Sequence, residues 1–74
     1  MTTITVAFEG QPEALKDAIV CAIHHASIRW VRGNVLTCHY ICETNDRQRA
    51  MAQVMDSIDI DQAERLGCEL LWIG

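Results

Sequence analysis

The chain has 74 residues, half of them hydrophobic and 22% charged, with a formal net charge of −4. That length predicts a single domain, 1–74, and excludes a multidomain enzyme or a large cofactor cleft. One Pro, four Gly and the high apolar content exclude disordered and low-complexity classes.

The longest apolar run, Ala18 to Ile23, is six residues, against about 18 for a membrane span. The start, Met-Thr-Thr-Ile-Thr-Val, has no positively charged region or cleavage-like site, so no signal peptide is expected. The expected compartment is a reducing cytoplasm, where the four cysteines are free thiols or metal ligands rather than disulfides. The charge is uneven. Residues 1–42 and 43–55 are each neutral, and residues 56–74 hold Asp56, Asp59, Asp61, Glu64 and Glu69 against Arg65, the whole −4. That segment repels nucleic acid and suits a basic protein partner.

Thr3 to Phe8 alternates, with Ile4, Val6 and Phe8 on one side, and predicts a half-buried strand. Gly10 and Pro12 mark a turn and a helix start. From Pro12 to about Ala26, Leu15, Ala18, Ile19, Ala22, Ile23 and Ala26 form one stripe, an amphipathic helix with an alanine-rich contact face. Ile28 to Arg32, Gly33-Asn34 and Val35 to Cys42 read as a hairpin. A two-residue loop places Val31 with Leu36, Cys38, Tyr40 and Cys42. A bulged three-residue loop places Ile28 and Trp30 there instead, and is preferred because it gathers the large residues into one core.

Thr44-Asn45-Asp46 offers caps for a second helix, with Ala50, Met51, Val54, Met55 and Ile58 as its buried stripe. Asp59 to Leu66 predicts a short extra helical turn stopped by Gly67. Cys68 to Ile73 closes the chain as a strand. The order β-α-β-β-α-β predicts an α+β, ferredoxin-like fold, a four-stranded antiparallel sheet with two helices on one face. Such a fold leaves function open.

Zinc needs four converging nitrogen or sulfur ligands. Cys21 and His25 are one helical turn apart and could form half a site; His24, His39 and Cys68 are the remaining residues of ligand type. Cys38 and Cys42 lie on a strand, where four residues span roughly 13 Å. No metal site is expected, and the cysteines read as small hydrophobes. Asp17, Cys21 and His24 share a helix flank and have the residue types of a nucleophile, base and orienter. A solvated flank supplies neither cleft nor oxyanion donors, so no enzyme is expected. Asp56, Asp59, Asp61 and Glu64 lack the spacing and glycine of a calcium loop.

Arg29, Trp30, Arg32, Arg47 and Arg49 raise nucleic-acid contact, but the sheet face expected to be open (Thr3, Thr5, Ala7, Thr37, His39, Ile41) carries no base-stacking aromatics. Val31, Val35, Ile41, Leu71 and Ile73 are expected to face solvent in part, an apolar patch of the kind that marks a contact. Trp30 and Trp72 are expected in the core.

Glu9-Gly10-Gln11-Pro12 has no cysteine, which excludes the heavy-metal-associated domains of the same element order. Pro12-Glu13-Ala14-Leu15 resembles the Pro-Gly-x-Leu element of amino-acid-binding ACT regulatory domains over four residues, without its glycine. That resemblance implies a small-ligand regulatory domain acting as a dimer, with its ligand at the first β-α loop. A thiol or zinc protein is a further alternative. The reading that composition and charge favour is a non-enzymatic protein-binding module. It is of the size and charge of phage-encoded inhibitors of a host enzyme or nucleic-acid-handling complex, anti-CRISPR proteins among them. Its contacts are expected through Ile41, Leu71 and Ile73 or through Asp56, Asp59, Asp61 and Glu64. Homodimerisation is expected to be possible; no cofactor, direct nucleic-acid contact or membrane contact is expected.

Overall fold

The computed structural model describes residues 1–21 and 25–74, without the side chains of 19–21. Its elements are β1 (Thr2–Glu9), α1 (Pro12–Cys21), β2 (Ile28–Arg32), β3 (Val35–Cys42), α2 (Arg47–Asp56), α3 (Ile60–Arg65) and β4 (Glu69–Ile73). The four strands form one antiparallel sheet in the order β2-β3-β1-β4. The architecture is α+β, with three helices among the described residues. The accessible surface, 4639 Å², matches the roughly 4,600 Å² that area scaling gives a folded chain of this mass.

Alternation in β1 and β3 sets the inner face of the sheet. Ile4 pairs with Tyr40, Val6 with Cys38 and Phe8 with Leu36, and all six are buried. Leu15 and Ala18 of α1, Ala50 and Val54 of α2, and Ala63 of α3 close the same cluster, so every helix contributes to the core on that one face. Alanines at these contacts let the helices lie close to the strands.

Local chemistry explains the helix ends. Pro12 opens α1, where a missing N–H costs nothing. Asp46 caps α2, its carboxylate accepting from the N–H groups of Gln48 (3.0 Å) and Arg49 (3.4 Å). Asp59 caps α3 by accepting from Gln62 N–H at 3.0 Å. α3 ends in a Schellman motif: Cys68 N–H donates to Ala63 C=O (2.9 Å) and Gly67 N–H to Glu64 C=O (3.0 Å). Gly67 takes the left-handed φ of +87° that the motif requires.

The hairpin differs from the preferred expectation. Arg32 pairs with Val35, so the loop is the two residues Gly33-Asn34, with positive φ at Gly33 only, the sign pattern of a II′ turn. Register then sets Arg29 opposite Cys38 and Val31 opposite Leu36, while Ile28 and Trp30 point to the outer face. Gathering the large side chains inward yields to the turn, because an unbulged two-residue loop matches the twist of the strands.

β4 departs as well. Its pairing skips Leu71: Trp72 faces Ala7, Leu70 faces Phe8, and a bulge lies between. One extra residue reverses the alternation beyond it. Trp72 is therefore outward rather than in the core, and Ile73, expected to face solvent, packs against the core. Met55, expected in the buried stripe of α2, is exposed, and Ala26 lies in the connection after α1 rather than in the helix.

Candidate binding surface

The outer face of the sheet can be mapped row by row from the registers. One row across the strands runs Trp30, Thr37, Ala7, Trp72. Its tryptophans sit on the two edge strands, three strand spacings or roughly 14 Å apart, with small side chains between them. Trp30 is 42% and Trp72 52% exposed. Ala7, also on this face, is shut off from water between Thr37 and Trp72. The result is a row with an exposed indole at each end and the small side chains of Thr37 and Ala7 between them.

The neighbouring row holds Ile28, His39 and Thr5. His39 is braced twice: its Nδ1 is hydrogen-bonded to Thr5 Oγ1 at 2.8 Å, and its ring lies 5.0 Å from that of Trp30 at an interplanar angle of 59°. That tilted contact braces the Trp30 indole. Ile28 and Ile41 extend the apolar area, at 52% and 45% exposure.

On the other side of the tryptophan row lie Arg32, Val35, Glu9 and Glu69. Glu9 is directly opposite Glu69, and both are exposed. Like charges across a strand pair cost stability, so the sheet carries an unfavourable pair beside Trp72. An indole with two carboxylates next to it suits a cation, through the ring face and through charge.

The residues expected to bind a partner do not converge. Ile41 is on the outer face, and Leu71 is exposed at the bulge of the β4 edge. Asp56, Asp59, Asp61 and Glu64 are exposed on the helical layer, which covers the opposite face of the sheet. Asp59 is occupied as a helix cap and Asp61 lies in the first turn of α3, where a carboxylate favours the helix. The open sheet face also carries two indoles, Trp30 and Trp72, which the sequence pattern alone places in the core. Trp30, Trp72 and the Glu9–Glu69 pair were missed for that reason. The Gly33-Asn34 loop was a usable signal for Trp30. Nothing in Leu70-Leu71-Trp72 signals the bulge.

Cys38, Cys42 and Cys68 are buried free thiols. Burial pushes the Cys38 thiol up to about 11, with the Arg29 guanidinium offsetting part of the effect. Cys68 shifts up through burial and the Asp17 charge. Such thiols are poor nucleophiles. Among the described residues no group of three or more His, Cys, Asp or Glu could hold a metal. His24 and the Cys21 side chain, on which the half-site and the Asp17–Cys21–His24 flank depend, lie outside the described residues.

A cavity of about 330 Å³ opens between the end of β3 and α2, lined by His25, Tyr40, Thr44, Gln53 and Ser57 among others. Tyr40 is 3% exposed, and its hydroxyl is the buried side-chain oxygen without a hydrogen-bond partner among the described residues. No described helix is long and apolar enough to cross a membrane. Compared with known proteins, the chain matches no family model, and neither a curated protein nor a solved structure is similar to it.

Proposed function

We propose that this protein is a non-enzymatic binding module that covers a basic patch of a partner protein with the outer face of its sheet. The observation that carries the reading is the row Trp30–Thr37–Ala7–Trp72, with the opposed carboxylates of Glu9 and Glu69 beside it. Exposed tryptophans flanked by polar residues are the side chains that dominate protein interfaces. An unrelieved carboxylate pair is a stability cost that a cationic partner would remove. Ile28, Ile41 and Leu71 extend the contact.

Size, charge and a surface of this kind are those of a cytoplasmic inhibitor that acts by occlusion, of the phage-encoded anti-CRISPR type. The fold is read as ferredoxin-like. The order β2-β3-β1-β4, antiparallel pairing throughout and helices on one face favour this, with α3 as an addition before β4. The acidic residues of the helical layer, Asp56, Asp59, Asp61 and Glu64, act at longer range, steering the approach of the same basic partner.

The test is affinity capture with wild type, Trp72→Lys and the fourfold amide variant of the helical acids. A partner held by wild type, lost with Trp72→Lys and kept with the amides assigns the contact to the sheet face. A partner kept with Trp72→Lys overturns it, and capture of nucleic acid alone overturns the protein-binding reading.

A further inference from the structure

We infer that the free edge of β2 pairs with β2 of a second copy, antiparallel about a two-fold axis at Trp30, to give a weak dimer with one continuous sheet.

β2 is exposed at all five of its residues, on both faces. Among the described residues its outer edge carries unpaired backbone groups, and the hairpin says which. In a two-residue loop the flanking pair, Arg32 and Val35, exchanges hydrogen bonds. The bonds from Gly10 N–H to Asn34 C=O and from Ser27 N–H to His39 C=O, each 2.9 Å, agree with this: Val35 and His39 turn their own groups toward β2. Ile28, Trp30 and Arg32 are therefore used within the sheet. Arg29 and Val31 present N–H and C=O to the free edge.

A second copy can use those groups only if Arg29 or Val31 of one chain meets Arg29 or Val31 of the other. The register centred on Trp30 does this over the whole strand. Arg29 exchanges hydrogen bonds with Val31 of the second copy, Ile28 lies across from Arg32, and the two Trp30 residues form the close, non-hydrogen-bonded pair. Every arginine then faces an apolar side chain. A shift of two residues one way sets Arg29 against Arg29, and like charges so placed repel. The opposite shift leaves Ile28 and Arg29 without strand partners. A shift of one residue breaks the hydrogen-bond parity. An inward-facing arginine usually protects an edge; here it selects one register. The other edge, β4, is interrupted by its bulge at Leu71.

Pairing two five-residue edges buries less than the roughly 1,200 Å² of a standard complex, so association is weak and concentration-dependent. The dimer aligns Trp72 and Trp30 with their symmetry mates in one row and leaves both outer faces open. It stands independently of the proposed protein partner.

Sedimentation equilibrium of three variants beside wild type tests it. Val31→Pro removes an N–H that has no acceptor among the described residues, at an edge position where proline is tolerated. Its dimer dissociation constant is expected to rise at least about tenfold, from the lost hydrogen bond on each copy. Ile28→Glu brings a carboxylate opposite Arg32 of the second copy, twice by symmetry. It should tighten the dimer about threefold or more at low salt, and the gain should vanish at high salt. Should Val31→Pro not fold, Ile28→Glu alone decides. Trp72→Lys, which tests the partner-binding face, should leave the dimer unchanged. Wild type that stays monomeric up to about 1 mM, Val31→Pro that associates as wild type does, or Ile28→Glu that weakens association would each overturn the dimer.

Discussion

The hydroxyl of Thr5 lies 2.8 Å from Nδ1 of His39, tying the middle of the sheet to the imidazole that supports Trp30. Both residues are partly buried, so neither is fully hydrated when the bond is lost. Thr5→Val keeps the shape and removes the bond. We expect a loss of about 0.5–1.5 kcal/mol in denaturant unfolding. The exposed Trp30 ring should also become more mobile, seen as a lower fluorescence anisotropy.

Glu9 and Glu69 oppose each other across β1 and β4. Glu9→Gln relieves the repulsion and is expected to raise stability by about 0.2–1 kcal/mol. The same change should weaken partner capture. A variant at once more stable and less able to bind is the signature of a surface kept for contact; equal capture by both proteins would remove the carboxylate pair from the interface.

Tyr40 buries a hydroxyl that has no hydrogen-bond partner among the described residues. Replacing it with an apolar group of the same shape avoids the desolvation cost, so Tyr40→Phe should be neutral or stabilising by up to about 2 kcal/mol. A melting temperature several degrees below wild type would show that the hydroxyl has a role in the fold.

The buried thiols predict alkaline sensitivity. Burial raises Cys38 from 9.0 to about 11, and burial together with the neighbouring Cys38 pushes the Tyr40 phenol up. Above pH 9 the unfolded chain releases the Cys38 proton while the folded protein still holds it, so stability falls as pH rises. The contribution is intact below pH 9 and is lost between about 9 and 11, at a slope of up to about 1.4 kcal/mol per pH unit. Urea midpoints across that window measure it, and Cys38→Ala should flatten the curve. Alkylation of native protein near pH 7 should spare Cys38.

Asp59 separates local from long-range charge. Asp59→Ala removes the cap of α3 and should cost about 1 kcal/mol, whereas Asp59→Asn keeps a capping oxygen and should cost little. The amides of Asp56, Asp59, Asp61 and Glu64 together should therefore leave the melting temperature near that of wild type. Any effect they have should be on the rate of partner association and its salt dependence.

Much of the fold was legible because it is written at short range. The alternation of Ile4, Val6 and Phe8 determined the buried face of β1. Thr44-Asn45-Asp46 announced α2 by capping chemistry, and Gly67 announced the end of α3 through the left-handed φ only glycine adopts cheaply. What the sequence could not decide was which face the large residues of the edge strands take. Ile28 and Trp30 were drawn inward by hydrophobicity alone. Strand sides are instead set by turn geometry and register, and one residue of slip exchanges them. In the hairpin the two-residue loop put Trp30 outside. In β4 a bulge at Leu71, with no local signature, did the same to Trp72 and turned Ile73 inward. The tryptophan row, the Glu9–Glu69 opposition and the outer edge of β2 are products of pairing between strands distant in sequence, and only the assembled sheet brings them together.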